Sequence, residues 1–140
     1  MSWDIASTDD ITAVHELRRE IFIKEQGFNE EDEWDDLDDQ AIQILAKLAQ
    51  HPVGTARILI NGNIGRIGRI CVVKSQRGTG LGAALVQFGI DHLRQTPSIA
   101  RVKLGAQEQA IGFYEKLGFQ VCGQVYDDGG VPHREMEIVL

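Results

Sequence analysis

The 140-residue sequence predicts an α/β fold: one domain, residues 1–140, built on a mixed sheet of about seven strands with helices on both faces. Three observations carry that expectation. Segments with the period-2 apolar pattern of strands alternate with segments whose apolar residues recur at helical spacing. An apolar strand, Ile64 to Val73, runs into a glycine-rich turn that opens a helix. A second helical segment closes at Gly118 and passes directly into another strand.

Each element follows from local chemistry. Trp3 to Ala6 reads as a short first strand, and Ser7 and Asp10 stand at capping-box spacing before a helix. Ile11, Val14, Leu17, Ile21 and Phe22 mark that helix's apolar face. The segment Asn29 to Asp39 carries eight carboxylates and no basic residue, so it reads as a solvated loop or a frayed helix. Trp34 and Leu37 inside it point to a segment that folds back onto the domain. Strands follow at Gln43 to Leu48 and Val53 to Ile60, with turns at Gln50 to Pro52 and at Asn61 to Asn63. Leu81, Ala84, Leu85, Phe88 and Leu93 give the next helix its buried face, and Pro97 stops it. Ala100 to Leu104 is the fifth strand and Gln107 to Leu117 the last helix. Phe119 to Val125 and Met136 to Leu140 complete the sheet across the turn-rich Asp127 to Gly130.

Composition narrows the class. Hydrophobic content of 43% suffices for one core, and no apolar run approaches the roughly 20 residues of a membrane span. The opening Met-Ser-Trp-Asp lacks the charged-then-apolar pattern of a secretory signal, so a cytoplasmic location is expected. Cys71 and Cys122 fall in predicted strands without metal-ligand spacing, so neither a disulfide framework nor a metal is expected. The net charge of −7 is unevenly spread: residues 51–140 hold ten Lys and Arg against seven Asp and Glu, residues 1–50 four against fourteen. The second half therefore suits an anionic ligand. No basic stripe with stacking aromatics points to nucleic acid.

The glycine turn is the most informative stretch. Gly78, Gly80 and Gly82 permit positive φ and leave no Cβ to keep a ligand away, so successive N–H groups can converge on one anion. The helix opening near Thr79 adds unpaired first-turn N–H groups, and Arg77 a full charge at the rim. A Walker loop requires Lys followed by Ser or Thr after its last glycine, whereas Ala83 and Ala84 follow Gly82. A dinucleotide fingerprint requires an acidic residue closing the next strand, where Gly105 and Ala106 stand. Arg-x-x-Gly-x-Gly, occupied by Arg77, Gly80 and Gly82, remains, alongside the plainer reading of a tight turn with no ligand.

This loop resembles the acetyl-CoA loop of the GNAT N-acetyltransferases. Gln107 to Phe119 resembles that family's segment Asn-x-x-Ala-x-x-x-Tyr-Glu-Lys-x-Gly-Phe, with Gln107 in place of the asparagine. Leu17 to Gln26, Gly54 to Arg57, Ile67 to Ile70, Leu104 to Gln107, and Val131 to His133 with Met136 extend the resemblance over nearly the whole chain, to the ElaA-like branch that includes the YjcF proteins. That branch tends to carry histidine where this chain has Gln43.

The resemblance implies the GNAT acyl-CoA N-acyltransferase fold and transfer of an acetyl group from acetyl-CoA to an amine. It places the diphosphate on Arg77, Gly78, Thr79, Gly80, Leu81 and Gly82, the pantetheine arm near Gln107, and the acyl oxygen near the amides of Cys71, Val72 and Val73. Tyr114 would protonate the departing sulfur; periodicity alone makes it a packing aromatic, and only the resemblance reverses that. Glu25, with Gln26, and His133 are candidates for the base or the acceptor pocket. Cys71 reads as core filler rather than a nucleophile, since no His/Asp arrangement would activate it. The acceptor is a small-molecule or peptide amine, a cationic one if the acidic run acts as an electrostatic funnel. Exposed edge strands leave a homodimer open. Two rivals stand beside this reading: a catalytically silent acyl-CoA-binding sensor or interaction module, and a nicotinamide-dependent reductase.

Overall fold

The structure is a computed structural model and describes residues 3–140; Met1 and Ser2, which open the amino terminus read above, lie outside it. Seven strands form one sheet: β1 (Asp4–Thr8), β2 (Ile42–Leu48), β3 (His51–Asn61), β4 (Ile64–Val72), β5 (Arg101–Gln107), β6 (Gln120–Asp128) and β7 (Val131–Val139). Their order is β1-β2-β3-β4-β5-β7-β6, and only β4 and β5 run parallel. The main helices are α1 (Ile11–Arg18), α2 (Glu30–Glu33), α3 (Leu81–Arg94) and α4 (Ile111–Lys116). None of the described helices is long and apolar enough to cross a membrane.

Strand alternation divides the core between the two faces. Ile44, Ala46, Ala56, Ile58 and Ile67 meet Leu81, Leu85, Val86, Ile90 and Leu93 of α3 in the larger cluster. On the opposite face Leu17, Ile21 and Cys71 form a smaller cluster with Phe22 and Val73. Helices therefore cover both faces, as the sequence predicts.

Several boundaries differ from expectation. Asp10, not Ser7, caps α1, its carboxylate accepting the Ala13 N–H at 3.2 Å. The first helix does not stay α-helical: Arg19–Glu25 widens into a π-helix, with the Gln26 N–H reaching the Ile21 carbonyl at 2.9 Å. The β2–β3 turn is Ala49 and Gln50, at φ +49° and +74°, so His51 and Pro52 already belong to β3. No glycine marks that turn, which is why composition placed it later. The fifth strand runs on through Gly105 to Gln107, and the last helix is shorter than expected. β7 begins at Val131 rather than Met136: Gln107 and Ala106 of β5 pair His133 and Arg134, drawing a polar stretch into the sheet.

The acidic segment is the largest departure from the solvated loop. It forms α2 and a 3₁₀ turn at Asp38–Gln40, and its carboxylates bind three arginines on the α1 face. Arg18, with no exposed surface, donates to Glu33 Oε2 at 2.7 Å and to Asp38 Oδ1 at 2.8 Å. Arg57 grips both oxygens of Asp35, at 2.8 and 2.7 Å, and reaches Asp38 at 3.1 Å. Arg69 meets Glu33 at 3.2 Å and Asp35 at 3.4 Å. Trp34 lies under the guanidinium groups of Arg18 and Arg19, 5.2 and 5.3 Å away. Burial alone would raise the Asp38 carboxyl; hydrogen bonds from Arg18, Arg57 and His15 outweigh it and hold the group far below the usual carboxylate range.

Candidate active site

A gap between two parallel strands organises the site. β4 and β5 pair only from Ile64 to Arg66 against Arg101 to Lys103. Beyond that point β4 carries a bulge: Thr55 faces Cys71 and Arg57 faces Gly68, so Ala56 alone opposes both Arg69 and Ile70. Arg69 adopts φ +50°, a left-handed backbone uncommon outside glycine, and its side chain is tied to Glu33 and Asp35. The bulge bends β4 away from β5, and the acidic segment holds the strained residue in place. The sequence carries no sign of this, because neither Arg69 nor Ile70 is a bulge-forming residue type.

The splay decides which amides of Cys71, Val72 and Val73 can face a ligand. The Val73 N–H is taken by the Val53 carbonyl at 2.9 Å. Strand alternation turns Cys71 the same way, toward its partner Thr55 on β3. Val72 is left facing the gap, and its carbonyl accepts from Arg77 Nε at 3.1 Å. Of the three amides in the sequence reading, Val72 alone therefore faces the gap. Burial pushes the Cys71 thiol up to about 12, so it stays protonated and inert as a core residue.

The glycine turn sits at the end of β4. Gly78 and Gly80 adopt φ +77° and +95°, as the phosphate-loop reading requires, whereas Gly82 lies inside α3. The helix opens at Leu81 with Gly80 as its cap, two residues later than expected, and no side chain caps it. Its first internal bond joins the Ala84 N–H to the Gly80 carbonyl at 3.0 Å, leaving the amides of Leu81, Gly82 and Ala83 directed outward. A Cβ on Gly78 would meet nothing within 4 Å, and one on Gly80 only Trp3 at 4.0 Å. This open cradle of amides fits an anionic diphosphate. Thr79 supports the loop from within, donating its hydroxyl to the Gln76 carbonyl at 2.5 Å, while Trp3 Nε1 donates to the Gln76 side chain at 3.3 Å.

Arg77 and Glu25 occupy one ion pair at 2.5 Å. The hydrogen bond from Arg77 holds the Glu25 carboxyl below its ordinary value, so Glu25 is a weak proton acceptor and ties the π-helix to the glycine loop. It does not line the central cavity.

That cavity, of about 310 Å³, brings Gln107, Tyr114 and His133 together. Tyr114, on α4, packs edge-on against Phe113 and Phe119, and burial raises its phenol above the ordinary value, so the hydroxyl keeps its proton near neutrality. His133, on β7, is buried, with Nδ1 2.8 Å from the Val131 carbonyl. A carbonyl only accepts, so Nδ1 carries a hydrogen, and the lone pair of the neutral ring is then on Nε2. Gln107 accepts at Oε1 from Gln109 Nε2 at 2.6 Å.

The cavity also holds residues that sequence reasoning did not assign to the site. Phe22, counted there as helix core, and Phe28 lie 6.2 Å apart and form an aromatic wall. Tyr126 tilts against His133 at 5.8 Å. A Cβ on Gly105 would lie 2.1 Å from the Tyr126 hydroxyl, so only glycine leaves room for it. Glycine within a strand signals such a close approach, and Gly105 was the available clue. Arg57, Arg66, Arg69, Glu33 and Asp128 supply the charge. None of the residues 77–82 lines this cavity, so the glycine cradle and the cavity are distinct.

A twisted mixed sheet that opens between its two parallel strands, with an uncapped glycine-opened helix at one side and a tyrosine and histidine at the other, defines the acyl-CoA N-acyltransferase class. Residues 13–140 match the acetyltransferase (GNAT) domain, and the chain belongs to the GNAT acetyltransferase family. YjcF, an uncharacterized N-acetyltransferase of Bacillus subtilis, is 33% identical over 86% of this chain and 86% of its own. The crystal structure of Escherichia coli ElaA superposes with a TM-score of 0.81 at 27% identity, covering 98% of each chain. These relatives place the chain in the ElaA/YjcF-like branch. An aminoglycoside 6′-N-acetyltransferase complexed with coenzyme A shares the fold, with a TM-score of 0.76 at 16% identity over 97% of this chain and 96% of that one.

Proposed function

We propose that the protein transfers an acetyl group from acetyl-CoA to the amine of an acceptor, by direct attack with both bound at once. The observation that carries this reading is the uncapped start of α3, with Gly78 and Gly80 in left-handed conformation, beside the gap between β4 and β5. Acetyl-CoA supplies an activated thioester, whose C–S bond is exchanged for a C–N bond with release of thiol and one proton.

The chain's own residues divide the remaining work. Amides of residues 78–83 seat the diphosphate, and the Val72 N–H stands in the gap where negative charge develops on the acyl oxygen. An amine of the lysine type has a pKa of about 10.4, so it arrives protonated and must lose that proton. His133 Nε2 accepts it, a role supported by the contact of Nδ1 with the Val131 carbonyl. Tyr114, kept protonated by burial, delivers a proton to the departing sulfur. Glu25 is replaced in the acceptor wall by Phe22 and Phe28.

Acetyl-CoA should raise the melting temperature, by an amount equivalent to about 2.7 kcal/mol at a hundredfold excess over Kd. Gly80→Glu should abolish this rise by placing a like charge at the diphosphate seat. The variant measured without ligand supplies its own baseline, since a non-glycine residue at φ +95° costs about 1–3 kcal/mol by itself. No calorimetric binding by the wild type at millimolar acetyl-CoA would end the proposal. Binding without CoA release across a broad amine panel would favour the silent acyl-CoA-binding module instead.

A further inference from the structure

We infer that the acceptor is a small monocationic primary amine with one apolar or aromatic arm and no carboxylate; the inference rests on the acetyl-transfer reading above. Charge accounting within the cavity leads there. Each lining arginine is already met by carboxylates: Arg57 by Asp35 and Asp38, Arg69 by Glu33 and Asp35, Arg66 by Glu135 at 2.8 Å. Glu33 is likewise held by Arg18 and Arg69. Among the described residues Asp128, exposed at the rim, alone lines the cavity with a full charge and no ion pair. The cavity therefore offers one uncompensated negative charge, which suits one ammonium group.

Position and shape agree with that charge. Asp128 stands two residues beyond Tyr126 on β6, and Tyr126 pairs with His133 across the β6–β7 ladder. An ammonium that enters against Asp128 is thus led along one face of the strand toward His133 Nε2. The wall beside this path is apolar and aromatic: Phe22, Phe28, Leu59 and Tyr126. Phe28 packs against the turn that follows Asp128, since a Cβ on Gly129 would lie 2.7 Å from its ring. Aromatic faces both bury an apolar arm and attract a cation. A polyamine or an aminoglycoside would bring further ammonium groups with no unpaired carboxylate in the cavity to receive them, and about 310 Å³ is small for the aminoglycoside. An amino acid would set its carboxylate against Asp128 with every arginine already neutralised.

The test is steady-state kinetics of CoA release with five acceptors: 2-phenylethylamine, n-hexylamine, phenylalanine, spermidine and kanamycin. The two monocationic amines should exceed each of the others in kcat/KM by about tenfold or more, a factor equal to 1.4 kcal/mol. Asp128→Asn should raise KM for 2-phenylethylamine about tenfold, with KM for acetyl-CoA and kcat within about twofold of wild type. Phe28→Ala should raise the same KM and leave the acetyl-CoA thermal shift intact. Preferential release with spermidine, kanamycin or phenylalanine overturns the inference and leaves acetyl transfer standing, as does an unchanged KM in Asp128→Asn. Release with none of the five overturns the inference, and acetyl transfer falls with it only if the broad amine panel fails as well.

Discussion

Replacing Arg18 by methionine tests whether the acidic segment is held by burial of its ion pairs. Arg18 has no exposed surface, Glu33 is 5% exposed, and four hydrogen bonds or ion-pair contacts join Arg18 to Glu33 and Asp38. Arg18→Met preserves most of the side-chain volume but leaves two carboxylates with one cation fewer. Breaking a buried pair from one side costs about 3–5 kcal/mol. Glu33 keeps Arg69, and Asp38 keeps Arg57 and His15, so the lower end applies, about 3 kcal/mol. For a domain of this size the midpoint should fall by about 9–12 °C. Adding Glu33→Gln restores the balance of charge and should recover about half of the loss. Arg19→Met, which removes the exposed pair with Glu30 from the same segment, should leave the melting curve unchanged. Urea and thermal unfolding monitored by circular dichroism would measure all three. If Arg18→Met stays within about 1 kcal/mol of wild type, the network is ornamental and the segment is anchored by Trp34, since Leu37 is exposed.

Two further expectations concern chemistry and acid. Tyr114→Phe should lower kcat by about 10²-fold or more while the acetyl-CoA thermal shift is retained; unchanged turnover with chemistry rate-limiting removes Tyr114 from proton transfer. Asp35 and Asp38 hold protons less tightly folded than unfolded, so protonation favours unfolding. Their contribution is complete above the unfolded value of about 3.9 and is lost as pH falls below it toward the depressed folded values. The urea midpoint of wild type should therefore drop more steeply below about pH 4 than that of Asp38→Asn, and parallel curves would show that the pairing adds no stability.

What the sequence determined by itself was what local physics controls. Periodicity located all seven strands and the helices α1, α3 and α4, because a period-2 or 3.6 pattern faces one core whatever the neighbours do. The glycine turn announced a left-handed bend, since Gly78 and Gly80 reach φ +77° and +95° at little steric cost. Gly118, read as a helix end, takes φ +103° there for the same reason. Tertiary structure decided the rest. The acidic run reads as solvent-exposed because nothing local says that Arg18, Arg57 and Arg69, from a helix and two strands, converge beneath it. The bulge at Arg69 and Ile70 is a matter of register between β3 and β4, and it opens the gap that leaves Val72 facing inward. Glu25 is held by a partner 52 positions away, Arg77, a pairing that no local pattern announces. The charge that remains unpaired in the cavity, at Asp128, is known only after every other charge has found its partner, and those partners come from distant parts of the chain.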